Sequence, residues 1–411
     1  MAAQPPETAD PVTAEASAPA SVLTWIRPVL LIMCAGGVSQ GFARFTFAFI
    51  LPDMTEDVLG SYSVAGLLGA ANLGGYLIGV IAMTSLAGRF ESTRLLKAGL
   101  ALTVLGLLIV AVAPWTPLLF AGMGMAGLCS AAVWIPIPSI IAAYAPQRHR
   151  GIGFGLATAG IGIAVALTGP LVTLVQRLFG DGEWRQVWAA EVVLSVVILV
   201  LQLLFLKPIG THTAGPSRRG SLRSRLPGAS TLLPAQFLYG ISYALFTNYL
   251  VAALQDDMGF ELASATQIFS FLGIASIFGG VVGGRTSDMF GRRFVLAAFM
   301  VAIGMVALVI PLRWSDGMYV SAIAYGMLMT AIGTVLVAYL SDVLGPSEIG
   351  AAFGSATISL GSAQLIAPPI GGWLADATGS FDLTFYVACG TGVLAGIVAG
   401  FLPNTRKGRR P

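Results

Sequence analysis

Arg44 is the most costly residue to place in this chain. It stands in Gly41-Phe-Ala-Arg44-Phe45-Thr-Phe, inside a long apolar run and about eight residues before Pro52, which puts it about 12 Å below the end of a helix rising 1.5 Å per residue. An arginine at that depth costs several kcal/mol unless paired or hydrated, so it marks a pathway for a polar solute. Its planar fork grips a carboxylate through two parallel hydrogen bonds, making an anionic or zwitterionic solute the natural partner. A structural ion pair is the alternative. Glu191, seven residues inside the outer end of the sixth apolar run, is the acid at matching depth, and it is also the candidate carrier of a coupled proton.

Further polar side chains share the apolar runs that would line a central cavity: Gln40, one turn before Arg44, with Asn72, Trp134, Tyr239, Tyr243, Asn248, Gln267, Tyr325 and Gln364. Each type also serves as a helix-to-helix hydrogen-bond residue. Trp134-Ile-Pro136-Ile-Pro138 differs in kind, because two prolines remove backbone donors and bend a helix.

The elements holding these residues follow from composition. Apolar residues make up 56% of 411 positions and charged residues 10%, against about 25% charged in a soluble domain. Twelve continuous runs, near 25–50, 64–86, 94–113, 117–145, 152–175, 184–206, 231–255, 264–286, 294–312, 318–341, 350–373 and 383–402, have the length that spans a bilayer as helix. Barrel strands would alternate instead. Residues 1–24 read as a disordered cytoplasmic tail, 207–230 as a basic cytoplasmic linker and 404–411 as a basic tail.

The two flanked segments, 25–206 and 231–403, are copies. GIGFGLATAGIGIAVALTGP from Gly151 recurs 199 positions later as GAAFGSATISLGSAQLIAPP from Gly350. The same offset sets Gly41 against Gly240, Phe47 against Phe246 and Arg44 against Tyr243. A duplicated membrane bundle with a seam between its halves is the usual build of a secondary transporter, whose substrate site lies at that seam.

Lys and Arg fix the expected orientation. With both termini cytoplasmic, 18 of the 22 fall on the cytoplasmic side and three, Arg177, Arg185 and Arg313, on the other, as the positive-inside rule requires. The net charge of +3 records this bias rather than nucleic-acid binding. Cys34, Cys129 and Cys389 have no mutual spacing, and His149 and His212 lie in loops, so no metal or cofactor site is expected. There is no G-x-x-x-x-G-K-[ST] phosphate loop, which excludes a primary pump, and nothing suggests an enzyme.

After the eighth run the chain reads Gly284-Arg285-Thr-Ser-Asp288-Met-Phe-Gly291-Arg292-Arg293. With twelve runs in two halves, this resembles the G-x-x-x-D-x-x-G-R-R signature of the major facilitator superfamily over essentially the whole chain after residue 25. The resemblance implies an all-α membrane protein of twelve transmembrane helices in two pseudo-symmetric six-helix bundles. It implies a monomeric secondary transporter in the bacterial inner membrane, moving a small organic solute by alternating access, in contact with lipid and with a coupled proton as a further candidate partner. By the same resemblance Asp288, Gly291, Arg292 and Arg293 form a latch that closes the cytoplasmic gate. In the equivalent loop of the first half Ser85 replaces the acid, leaving Glu91 with Arg148 or Arg150 as the candidate contact. Gly41-x-x-Arg44-Phe45 followed by Leu51-Pro52-Asp53-Met54 is similar to the YbfB/YjiJ-type branch of the superfamily, and Arg148-His-Arg-Gly-Ile-Gly-Phe-Gly resembles monocarboxylate carriers. Proton-coupled multidrug efflux is the alternative within transporters; a channel or receptor is the alternative outside them.

Overall fold

A computed structural model describes residues 22–86, 90–146, 149–209, 228–344 and 346–404. Most of the terminal tails and of the basic linker, with Arg148 and the Gly88-Arg89 loop, lies outside the described residues. Among the described residues there is no strand. The helices are α1 (Trp25–Phe49), α2 (Tyr62–Leu86), α3 (Ser92–Val112), α4 (Thr116–Tyr144), α5 (Arg150–Phe179), α6 (Trp184–Phe205), α7 (Ala229–Asp257), α8 (Leu262–Phe290), α9 (Arg292–Val309), α10 (Ser315–Val343), α11 (Pro346–Thr378) and α12 (Asp382–Ala399).

Eleven of these are long and apolar enough to cross a membrane. The remaining one, α11, has 33 residues but is rich in Gly, Ser, Thr and Pro. It packs against α2 and α7, where small residues allow close approach. On its other side it turns Ile358, Ile366, Ile370 and Trp373 outward, as α6 does Val193, Val197, Leu203 and Leu204, the apolar surface a bilayer covers.

The two halves repeat each other in packing. Helix α2 lies on α4 and α8 on α10; α1 lies on α5 and α7 on α11; α3 lies on α6 and α9 on α12. Equivalent contacts keep the 199-residue offset. A Cβ on Gly41 would stand 2.3 Å from the Ala164 Cβ, and one on Gly240 would stand 2.8 Å from the Ala363 Cβ. The turns repeat too: Gly60 (φ 74°) recurs as Gly259 (φ 70°) and Gly180 (φ 106°) as Gly379 (φ 70°), each in the left-handed region that only glycine enters cheaply. The halves meet along two seams, α5 with α8 and α2 with α11.

Two helices are irregular where the sequence is. In α1, Gly37–Phe42 winds as π-helix before the α-helical turn carrying Arg44. In α4 the α-helix stops at Trp134 and restarts at Ile137, since Pro136 and Pro138 offer no donor to the preceding turn.

Candidate functional site at the seam

Helices α1 and α2 of one half and α7 and α11 of the other converge on Arg44. The void beside it is about 20 Å³, and its wall includes Arg44, Phe45, Asn72, Tyr243, Asn248 and Gln364. That is room for about one water molecule. Arg44 Nη2 donates a hydrogen bond across the seam to Gln364 Oε1, and its guanidinium carbon lies 6.0 Å from the Phe45 ring centroid. No carboxylate pairs with Arg44; the six ion pairs among the described residues all lie elsewhere. The site is a guanidinium held by a neutral amide, with unspent donors.

The other polar wall residues divide by how their hydrogen bonds are used. Asn72 donates to the Ala43 carbonyl at 3.0 Å and the Met123 carbonyl at 3.1 Å, so its amide nitrogen ties α2 to α1 and α4. Asn248 donates to the Ala244 carbonyl of its own helix at 2.8 Å, which leaves its oxygen free to accept. Tyr243 reaches the wall from the repeat-related position opposite Arg44, packed edge-on against Tyr239 at 6.1 Å.

Three expected site residues lie away from the void. Tyr239 is buried behind Tyr243 with its hydroxyl 3.4 Å from the Met329 carbonyl. Tyr325 stacks on Phe246 at 3.7 Å and donates to the Ser242 carbonyl at 3.2 Å. Trp134 packs near Phe154, 6.3 Å between rings, at the helix break in α4. In each case an aromatic ring packs between helices of one half. Gln40 is also off the wall, buried in the π-helical stretch with its amide nitrogen unbonded. Gln267 accepts from the Tyr319 hydroxyl at 3.3 Å, well apart from Arg44.

The expected pair of Arg44 with Glu191 does not form. Glu191 is fully buried, and its Oε1 accepts from the Thr46 hydroxyl at 2.6 Å and lies 3.3 Å from the Thr168 hydroxyl. Arg44 and Thr46 are two residues apart on α1, about 200° around a helix of 3.6 residues per turn, so equal depth does not make their partners neighbours. Thr46 and Thr168, the residues that hold Glu191, were missed because threonine in an apolar run gives no signal of its own.

At one end of the bundle the halves are fastened together. The Asp376 carboxylate at the end of α11 accepts the Tyr62 N–H at 3.0 Å, the Ser63 N–H at 2.8 Å and the Ser63 hydroxyl. It thereby caps the N-terminus of α2 from the opposite half, where a negative charge is favoured. The Tyr62 hydroxyl donates to Asp256 of α7, and its ring packs edge-on against Phe381 at 4.8 Å. A Cβ on Gly372 would stand 2.0 Å from the Tyr62 carbonyl, so no larger residue fits there.

At the other end Asp288 pairs with Arg292 at 2.5 Å, and Arg292 also reaches Asp342 of α10 at 3.3 Å and the Ser287 hydroxyl. Gly291 makes the α8–α9 turn with φ 95°, and Arg293 follows it at the start of α9. These contacts stay within one half. The Glu91 contact expected with Arg150 is replaced by Arg94 at 2.8 Å; Arg150 instead donates to the Ala142 carbonyl. Among the described residues no group of His, Cys, Asp and Glu could hold a metal ion.

Comparison with known proteins agrees with this architecture. The sequence model of the family described as "Uncharacterised MFS-type transporter YbfB" matches residues 37–400. The chain belongs to that family of the major facilitator superfamily. Relatives include monocarboxylate transporter 13 of Rattus norvegicus, 26% identical over 88% of this chain and 83% of that protein. The hexuronate transporter of Bacillus subtilis (strain 168) is 22% identical over 90% and 93%. Among solved structures, a D-xylose-proton symporter superposes with TM-score 0.72 at 18% identity, covering 93% of this chain and 99% of that one, which speaks to the fold. These relatives are transporters and not enzymes, and this chain is a multi-pass membrane protein of the same superfamily.

Proposed function

We propose that this member of the superfamily is a secondary transporter of a small organic carboxylate, with Arg44 as the anion-binding residue and Gln364 holding its fork until the solute arrives. The observation carrying the reading is that Arg44 lies at the seam with no carboxylate of its own and with an amide from the other half as its partner. A ligand carboxylate would replace Gln364 on the fork, turning a neutral hydrogen bond into a charge-assisted, bidentate one. Both named relatives take carboxylates by their names, and a free cation at the seam disfavours the cationic compounds of multidrug efflux.

We place the protein in the inner membrane with both termini cytoplasmic, following the distribution of Lys and Arg. In that orientation the Asp376 cap is the closed outer gate. A void of one water's size then belongs to a state that must open toward the cytoplasm before solute exchanges. Asp288, Gly291, Arg292 and Arg293 serve the cytoplasmic latch, and here Asp288 is engaged only by its own half.

The test is exchange of labelled L-lactate and D-glucuronate in proteoliposomes with the purified full chain. Saturable exchange of either, abolished by Arg44→Ala, supports the reading. Exchange of neither would overturn the carboxylate assignment, and exchange of xylose instead would replace it with a neutral sugar.

A further inference from the structure

Glu191 sits in a place that an ionised carboxylate cannot comfortably hold. It is 0% exposed, and its Oε2 has no hydrogen-bond partner. The helices packed against α6 are α1, α3 and α5. Their charged or titratable groups are Arg27, Cys34 and Arg44 on α1, Arg94 and Lys97 on α3, and Arg150 and Arg177 on α5. None of them bonds Glu191: Arg44 is on Gln364, Arg94 on Glu91, Lys97 on the Leu206 carbonyl and Arg150 on the Ala142 carbonyl. On α6 itself, Arg185 pairs with Asp57 at the helix start. An anion buried without a cation costs far more than a neutral acid in the same place.

The hydroxyls around it do little to offset a charge. The single proton of Thr168 is divided between the Ala164 carbonyl at 3.0 Å and Glu191 Oε1 at 3.3 Å, so Thr46 at 2.6 Å is the one short donor to the acid. Thr46 is on the α-helical turn of α1 that also carries Arg44, directly after the π-helical stretch Gly37–Phe42.

We propose that Glu191 is a proton-binding site, and that its proton is the coupling ion of the transport cycle. In the state described here the acid is neutral and anchors α1 through Thr46. When α1 moves and water reaches the pocket, Glu191 gives its proton to that water and becomes a carboxylate. A carboxylate accepts the Thr46 hydroxyl more strongly than the acid does, so the change of charge shifts Thr46 and the turn it shares with Arg44. Reprotonation from the opposite aqueous phase reverses the shift. One proton crosses per cycle, and Arg44's grip on its anion is tied to the charge on Glu191 through two residues of helix. Coupling to solute rests on the carboxylate reading above; occupancy of Glu191 by a proton does not.

The experiment therefore has two arms. In the first, the full chain in nanodiscs is moved from acidic to alkaline buffer, and infrared difference spectra are recorded without any solute. Loss of a carboxylic C=O band that is missing in Glu191→Gln and shifted in Thr46→Ala is the expected result. Absence of such a band in the wild type overturns the proposal. In the second arm, proteoliposomes are loaded as in the exchange assay and a pH gradient is imposed in each direction in turn, one of which drives accumulation of D-glucuronate. Glu191→Gln should lower gradient-driven accumulation about tenfold more than it lowers exchange, while Glu191→Asp restores it in part. Undiminished accumulation in Glu191→Gln overturns the coupling. If the wild type exchanges neither solute, the carboxylate reading fails, and the infrared arm still decides whether Glu191 binds the proton.

Discussion

Arg44 separates a shape-specific role from a charge role. Lysine keeps the charge and loses the planar fork. If a carboxylate is gripped by two parallel bonds, Arg44→Lys should reduce exchange about as severely as Arg44→Ala, by tenfold or more on the order of magnitude of a lost bidentate contact, with membrane expression retained. Normal exchange by Arg44→Lys would reduce the residue to charge balance. Asp53 offers a second test at this scale. Burial, helped by Glu56 and Asp181, pushes its carboxyl up to about 6. A folded value above the unfolded one, about 3.9, means the folded protein holds this proton more tightly, so the group costs stability above pH about 6, and the cost fades as pH falls toward about 4. Asp53→Asn should accordingly raise the apparent melting temperature at pH about 7 and leave it unchanged at pH about 4. An equal effect at both would show that packing, not ionisation, is responsible.

Helix α2 begins on two caps, Ser61 of its own half, which accepts the Val64 N–H at 3.3 Å, and Asp376 of the other. Capping residues contribute about 1 kcal/mol, enough to shift a two-state population about fivefold. Asp376→Ala should therefore widen the outer gate: spin labels at Asp181→Cys and Asp316→Cys, both exposed and in opposite halves at that end, should gain a longer-distance population by electron-electron resonance. An unchanged distribution would leave Asp376 as a surface cap without a gating role. The sequence shows α2 and α11 as helices but not this bond, because Asp376 and Tyr62 are 314 positions apart and at the repeat-related position of Asp376 the first half has Arg177. The Asp57 contact with Arg185 at 2.6 Å and with the Trp184 indole at 3.0 Å, which holds that carboxyl below its usual range, is equally silent in sequence.

Across the whole molecule the duplication is a statement about contacts. Gly41 against Ala164 and Gly240 against Ala363 are one contact made twice, so Gly41→Val and Gly240→Val should each destabilise by overpacking, about 1–3 kcal/mol. Melting of the two variants side by side checks this, and tolerance of one but not the other would mean the halves pack differently. Broken equivalence is where function enters: Arg44 faces Tyr243 and Glu191 has Gly390 as its counterpart. Among the described residues only the first half carries a half-buried arginine at the seam and a fully buried acid.

Twelve helices, the two halves, the charge bias and the cost of Arg44 were all legible in the chain, because apolar length, residue repeats and intramembrane charge are local properties of a sequence. Partners were not. Equal depth suggested that Arg44 and Glu191 should meet, yet 200° of helix rotation sends them to different neighbours, Gln364 across the seam and Thr46 with Thr168 inside the half. Depth is fixed by counting residues from a helix end. Azimuth depends on how each helix is rotated, and in α1 a π-helical stretch, Gly37–Phe42, resets that rotation just before Arg44. Which aromatic fills a gap between helices, as Tyr325 does on Phe246, and which faces the void, as Tyr243 does, is decided only when both halves are packed against each other.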